Sequence, residues 1–148
     1  VIVIYRNEVA RSERELWPSG LWPTPWPDTT NVAELEDFLD TRLKTRLPDT
    51  GFVSQCLLTP DVKYVTKHLC GSLHRDLARP CRAATLAWLQ RHFPGGGGMN
   101  IVITDYVSFN NFQFPKAVIQ RNAEMLFGES VAGLGVYLKE KTSMTKVV

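Results

Sequence analysis

Asn100-Ile101-Val102-Ile103-Thr104-Asp105-Tyr106-Val107 is a nearly continuous apolar run that closes on a carboxylate. Its three successive β-branched residues suit a strand covered on both faces, the usual character of parallel strands in α/β proteins. In such sheets binding and catalytic groups gather at the C-terminal strand ends. Asp105 arrives where the hydrophobic run gives out, so it is either the cap of the following turn or a group held at a strand end for chemistry. Spacing alone favours the turn.

Working outward, the chain reads as β/α units. Val1 to Tyr5 predicts a buried strand, followed by a polar turn through Glu15. Leu16 to Asp28 carries three Trp-Pro pairs, too much proline for a helix or a central strand, and predicts an ordered, partly extended loop. Asn31 and Glu34 have capping-pair spacing, and Val32, Leu35, Phe38, Leu39 and Leu43 recur at helical intervals, opposite Glu36, Asp40 and Lys44. Phe52 to Leu58 predicts a second strand. Thr59-Pro60 then predicts a helix start, with Val62, Val65, Leu69 and Leu73 as its apolar face.

Gly71 interrupts that helix, and Pro80 restarts one through Leu86, Leu89 and Phe93 as far as Pro94. The four glycines after it follow a helix and open a strand, the reverse of a phosphate-binding loop, and predict a flexible connection. Beyond the organising strand, Asn110-Asn111 reads as a turn and Pro115 as the start of a last amphipathic helix. Consecutive units of this kind imply a parallel sheet in an α/β fold. The expected division is a folded unit over residues 1–127 and a poorly structured tail over 128–148.

A net charge of +2 on 148 residues, with no block of like charges, gives no support for a nucleic-acid partner, and none is expected. Cys56, Cys70 and Cys81 are odd in number and lack CxxC spacing. They read as reduced intracellular thiols, two of them buried. His68 and His74 are six apart, on different helix faces, and no acidic cluster suits calcium, so neither a metal nor another cofactor is expected. The opening Val-Ile-Val-Ile-Tyr is too short for a membrane span, lacks the features of a signal peptide and reads as a strand of something longer.

Several passages in order resemble the C-terminal half of the phosphatidylinositol-specific phospholipase C X-domain-containing proteins. They are Glu15-Leu16-Trp17-Pro18, Pro25-Trp26, Val53 to Pro60, and Asn100 to Val107 with Val118-Ile119 and Asn122 after it. Trp26-Pro27-Asp28 and Val102 to Tyr106 are also similar, more distantly, to bacterial secreted enzymes. The resemblance implies the C-terminal portion, about three β/α units, of a TIM-type barrel with parallel strands. It implies a phosphoric diester hydrolase acting on phosphoinositide-like lipids through two histidines of the N-terminal half, as general base and general acid. Asp105 matches the aspartate that hydrogen-bonds one of those imidazoles, fixing its tautomer and stabilising its charged form. The two histidines would precede Val1, and His68, His74 and His92, all on expected helices, do not replace them, so the chain alone is expected to be inactive.

Other residues carry a structural and a functional reading side by side. Arg6, just past the first strand, is a solvated loop charge or a bidentate contact to a lipid phosphate. Gln55, inside a strand, satisfies a neighbour or a substrate. Trp22 and Trp26 pack their loop or dip into a lipid interface, as amphipathic indoles do; Trp17 reads as packing, and Tyr106 as packed beneath a helix. The expected partners are a phosphoinositide-like lipid or membrane surface, with association through an exposed sheet edge. The expected location is cytoplasmic, with peripheral membrane contact as the alternative the tryptophans raise. A non-catalytic α/β interaction module binding a membrane or protein through the Trp-Pro loop is the competing reading.

Overall fold

The computed structural model describes residues 3–128, so the expected tail after Gly128 lies outside the described residues. The chain is a mixed α/β structure with short parallel strands. β1 (Val3–Tyr5) pairs in parallel with β2 (Leu16–Pro18), joined by a tight helical turn at Glu8–Arg11. β1 is exposed along its length, where a buried strand was expected, because among the described residues its ladder has β2 alone as a neighbour. α1 (Val32–Lys44) begins as its sequence predicts: the Asn31 side-chain oxygen accepts from the amides of Ala33 at 2.8 Å and Glu34 at 3.3 Å. Glu34 does not return to Asn31. It takes the Thr29 hydroxyl, which itself accepts from the Asn31 amide.

β3 (Val53–Gln55) and β4 (Ile101–Ile103) form the second parallel pair, in the register Val53–Ile101, Ser54–Val102, Gln55–Ile103. The third extended neighbour of this sheet is the proline-rich segment and not β1. The amides of Gly51, Val53 and Thr59 donate to the carbonyls of Leu21, Pro23 and Thr29, at one constant offset, so residues 21–29 run parallel beside β3. Pro23 has no N–H to give back on the side it turns to β3, which makes the ladder one-way and keeps it from being a regular strand. The extended segment that precedes α1 beside β3 is thus the tryptophan segment and not β1.

Side chains alternate across this sheet. Cys56 and Val102 face the helices and join a core with Leu35, Leu39, Leu43, Leu89 and Phe114. Ile101 and Ile103 face the other way and remain 37% and 39% exposed. The organising strand is thus covered on one face only, against the expectation of two. The Trp22 ring lies over Gly51, where an added Cβ would meet ring carbons at 2.2 Å. Gly51→Ala is expected to cost about 1–3 kcal/mol by forcing the indole off its seat, measured as a lower urea midpoint.

α2 (Val62–Lys67) is capped by Asp61, whose carboxylate accepts from the Tyr64 amide at 2.6 Å, and not by Thr59. The apolar face expected of it is largely uncovered: Leu69 is 81% exposed, and of this helix Tyr64 packs on the core. A wide helical turn at Leu73–Ala78 leads into α3 (Arg79–Arg91), which buries Cys81, Thr85, Trp88 and Leu89. Trp88 is fully buried and donates to Asp40 Oδ1 at 2.7 Å, while His92, stacked on Trp88, contacts the same carboxylate oxygen at 3.2 Å. Glu36 pairs with Arg91 at 2.9 Å. The polar side of α1 is therefore fastened to α3 and not left to solvent.

The glycine run is a tied turn and not a loose connection. Gly95 N–H donates to Met99 O and Met99 N–H to Phe93 O, both at 2.9 Å, and Arg46 donates to Gly98 O. Gly95 and Gly97 sit at φ of 104° and 77°, in the region glycine tolerates. After β4, Asn110, Asn111 and Phe112 take left-handed conformations, so the regular part of α4 (Phe109–Phe127) starts beyond them with Pro115 in its first turn. Asn110-Asn111 is the turn the sequence predicts.

Cys56 and Cys81 are buried and Cys70 is exposed, all as free thiols. Burial, and then the neighbouring Cys81, drive the Cys56 thiol far above the ordinary range; burial pushes Cys81 up to about 11. Both thiols hold their protons longer in the native chain than in the unfolded one. Their contribution is intact below the ordinary thiol value of 9.0 and is lost above it, by about 1.4 kcal/mol per pH unit for each thiol, until the native value is reached. Urea unfolding at a series of alkaline pH values is expected to show this fall, and Cys81→Ala to make it shallower.

Candidate functional site

β4 carries the chain to the C-terminal end of the sheet, and two residues beyond its last paired position stands Asp105, half-buried. Its backbone is fixed from the helix layer. Arg82 on α3, 4% exposed, donates from Nη2 to Asp105 O at 2.6 Å and to Tyr106 O at 3.0 Å. The same guanidinium lies over the rings of Phe114 at 5.2 Å and Phe109 at 5.9 Å. This clamp holds Tyr106 at a φ of 49°, a turn that β-strand geometry does not continue through. Tyr106 is exposed and edge-on to His74 at 4.9 Å, so it is not packed beneath a helix as alternation predicts.

Desolvation lowers the Arg82 guanidinium from the usual arginine range, and the Asp105 charge acts against that loss. The same charge helps to raise Cys81, after burial. Among the described residues, the Asp105 carboxylate has no hydrogen-bond partner, whereas a carboxylate that merely caps a turn accepts from nearby amides.

The other residues singled out by sequence fall into two groups. Gln55 is 3% exposed, and its Nε2 donates to Thr24 Oγ1 at 3.0 Å and Thr24 O at 3.3 Å, with Oε1 left unpartnered. It joins the proline-rich segment to β3. Trp22 is half-buried, seated on Gly51 and edge-on to Trp17 at 5.9 Å, whereas Trp26 is 54% exposed. Arg6 is exposed and shares a cleft with Phe52, Val53 and the end of α1, at the opposite end of β3 from Asp105. The structure does not bring Arg6 and Asp105 together.

Asp28, quoted in the sequence only as part of Trp26-Pro27-Asp28, was given no site role there. The constant offset between residues 21–29 and β3 carries it to the same end of the sheet as Asp105, where it lines a cleft with Thr59, Asp61, Lys63 and His68. The signal was the alternation of proline, which marks an extended segment and not merely a loop. His68 stacks on Tyr64, His92 on Trp88, and His74 meets Tyr106 and Phe109 edge-on. Among the described residues, no group of three or more His, Cys, Asp or Glu is placed to hold a metal ion.

The chain is 37% identical over 123 residues to PI-PLC X domain-containing protein 2 of Mus musculus, an alignment covering 82% of this chain and 36% of that protein. It is 34% identical over 123 residues to PI-PLC X domain-containing protein 3 of Danio rerio, covering 82% of the chain and 38% of the relative. The chain belongs to the family of PI-PLC X domain-containing proteins. PI-PLC X domain-containing protein 3 of Homo sapiens is 33% identical over 113 residues, covering 76% of the chain and 35% of that protein. The chain thus spans little more than a third of the length of the PI-PLC X domain-containing proteins it matches. No family model and no solved structure matches it. Among the described residues, no helix is long and apolar enough to cross a membrane.

Proposed function

We propose that the chain supplies the last three β/α units of a TIM-type barrel that hydrolyses phosphoric diesters of phosphoinositide-like lipids. The observation that carries this reading is Asp105: a half-buried carboxylate at a strand's C-terminal end, its backbone clamped by Arg82 and its oxygens free of partners among the described residues. Its role is to accept a hydrogen bond from one ring N–H of a histidine contributed by the remainder of the barrel. That bond fixes which ring nitrogen is left to take a proton from the attacking oxygen, and it stabilises the imidazolium that forms. A second histidine returns a proton to the leaving oxygen. This chain holds the carboxylate and not the imidazoles, so it is inactive alone.

A second reading rests on the exposed apolar groups of the proline-rich segment, Trp17, Leu21 and Trp26, which suit a membrane surface or a protein partner without catalysis. The outward-facing peptide groups of β4 offer an edge for another strand under either reading. A peripheral, cytoplasmic protein fits both. The deciding experiment replaces the matching 123 residues of the mouse relative with this chain and assays phosphoinositide cleavage by the chimera and by the chain alone. Turnover by the chimera that depends on Asp105 supports the first reading. Liposome binding without turnover in either form supports the second.

A further inference from the structure

At the other end of the sheet from Asp105 lies a cleft of about 740 Å³, formed where the proline-rich segment, the C-terminus of α1 and the start of β3 meet. Its volume is that of a small-molecule site. Arg6, Arg42 and Arg46 all line it, and among the described residues no carboxylate does. Among the described residues, none of the three is salt-bridged to an acidic side chain. Arg46 is the most informative. Its guanidinium donates to Thr50 O and Gly98 O and lies over the Phe52 ring, yet among the described residues its buried Nε has no acceptor and its charge has no counter-ion. A part-buried cation held only by carbonyls is costly unless a negative partner arrives. A second buried donor without an acceptor belongs to the same cleft, the indole N–H of Trp22. Ser19 and Thr45 add hydroxyls to the lining.

We propose that this cleft binds a phosphorylated polar molecule, with Arg42 and Arg6 forking onto its phosphate oxygens and Arg46 supplying fixed charge beneath. Guanidinium forks match phosphate oxygens in pairs, and a site with three of them selects multiply charged ligands over single ions. The site shares no residue with the Asp105 end of the sheet and stands independently of the hydrolase reading. The ligand is a soluble phosphate ester or the phosphomonoester headgroup of a lipid, and the two share this chemistry.

The test uses the full chain with two probes: inorganic tripolyphosphate by titration calorimetry, and phosphatidylcholine vesicles carrying phosphatidic acid by co-sedimentation. Binding to at least one probe is expected, weakened about tenfold or more by Arg42→Glu and by Arg6→Glu, and unchanged by Arg11→Glu, whose side chain pairs with Glu8 outside the cleft. Both cleft substitutions are on exposed side chains, and unchanged circular dichroism separates lost binding from lost folding. Variant-sensitive tripolyphosphate binding assigns a soluble ligand, and variant-sensitive vesicle binding without it assigns a lipid headgroup. Binding to neither probe, or binding that both cleft variants leave intact, overturns the proposal.

Discussion

Asp105→Asn in the chimera with the mouse relative is expected to lower kcat by about 10²–10⁴-fold with KM little changed. Asparagine keeps the volume and leaves untouched the Asp105 carbonyl that Arg82 holds, so the backbone path is preserved. What is lost is the negative charge. An amide cannot stabilise an imidazolium, and its NH₂ group favours the wrong ring tautomer by offering a donor where an acceptor is needed. The loss therefore falls on the chemical step and not on lipid binding, which is why the kcat and KM split is the proper readout. A chimera whose turnover is indifferent to this change would remove Asp105 from the mechanism, and with it the assignment of this sheet end as the active one.

Trp88→Ala is expected to destabilise the chain by about 3–5 kcal/mol, a large fraction of the stability of a domain this size. Trp88 is fully buried between α1 and α3, stacked on His92 and hydrogen-bonded to Asp40. Truncation opens a cavity at the crossing of the two helices and leaves Asp40 with the His92 contact alone. Trp88→Phe separates the two effects: it retains most of the packing and forfeits the hydrogen bond, at about 1–2 kcal/mol. Urea unfolding followed by far-UV circular dichroism distinguishes them. Equal losses for Ala and Phe would mean that the polar contact, not the ring's volume, holds the helices together.

What could be read from the sequence follows the range of the interaction. Local signals were legible: the Asn31 cap, the leucine stripe of α1, the turn at Asn110-Asn111, the burial of two of three thiols and the placement of Asp105 at a strand end. Pairing was not. Val3–Tyr5 has the better strand composition, yet the proline-rich segment lies beside β3, because carbonyls alone can complete one side of a parallel ladder. Arg6 illustrates the consequence for the site. Once the tryptophan segment replaces the first strand beside β3, the residue expected near the active end falls at the opposite end. The clamp by Arg82 was equally invisible, since a helix arginine reads as solvated until its distance to a distant turn is known.

The one-way ladder between residues 21–29 and β3 also sets how the sheet yields. With no Pro23 N–H to return a bond, this seam has fewer cross-links per residue than the β3–β4 pair beside it. The α1–α3 fastening shares none of these bonds, so the seam and the helix pair are independent of one another. The aromatic segment is thus held to β3 by one-way backbone bonds, by the Gln55–Thr24 contact and by the seat of Trp22 on Gly51.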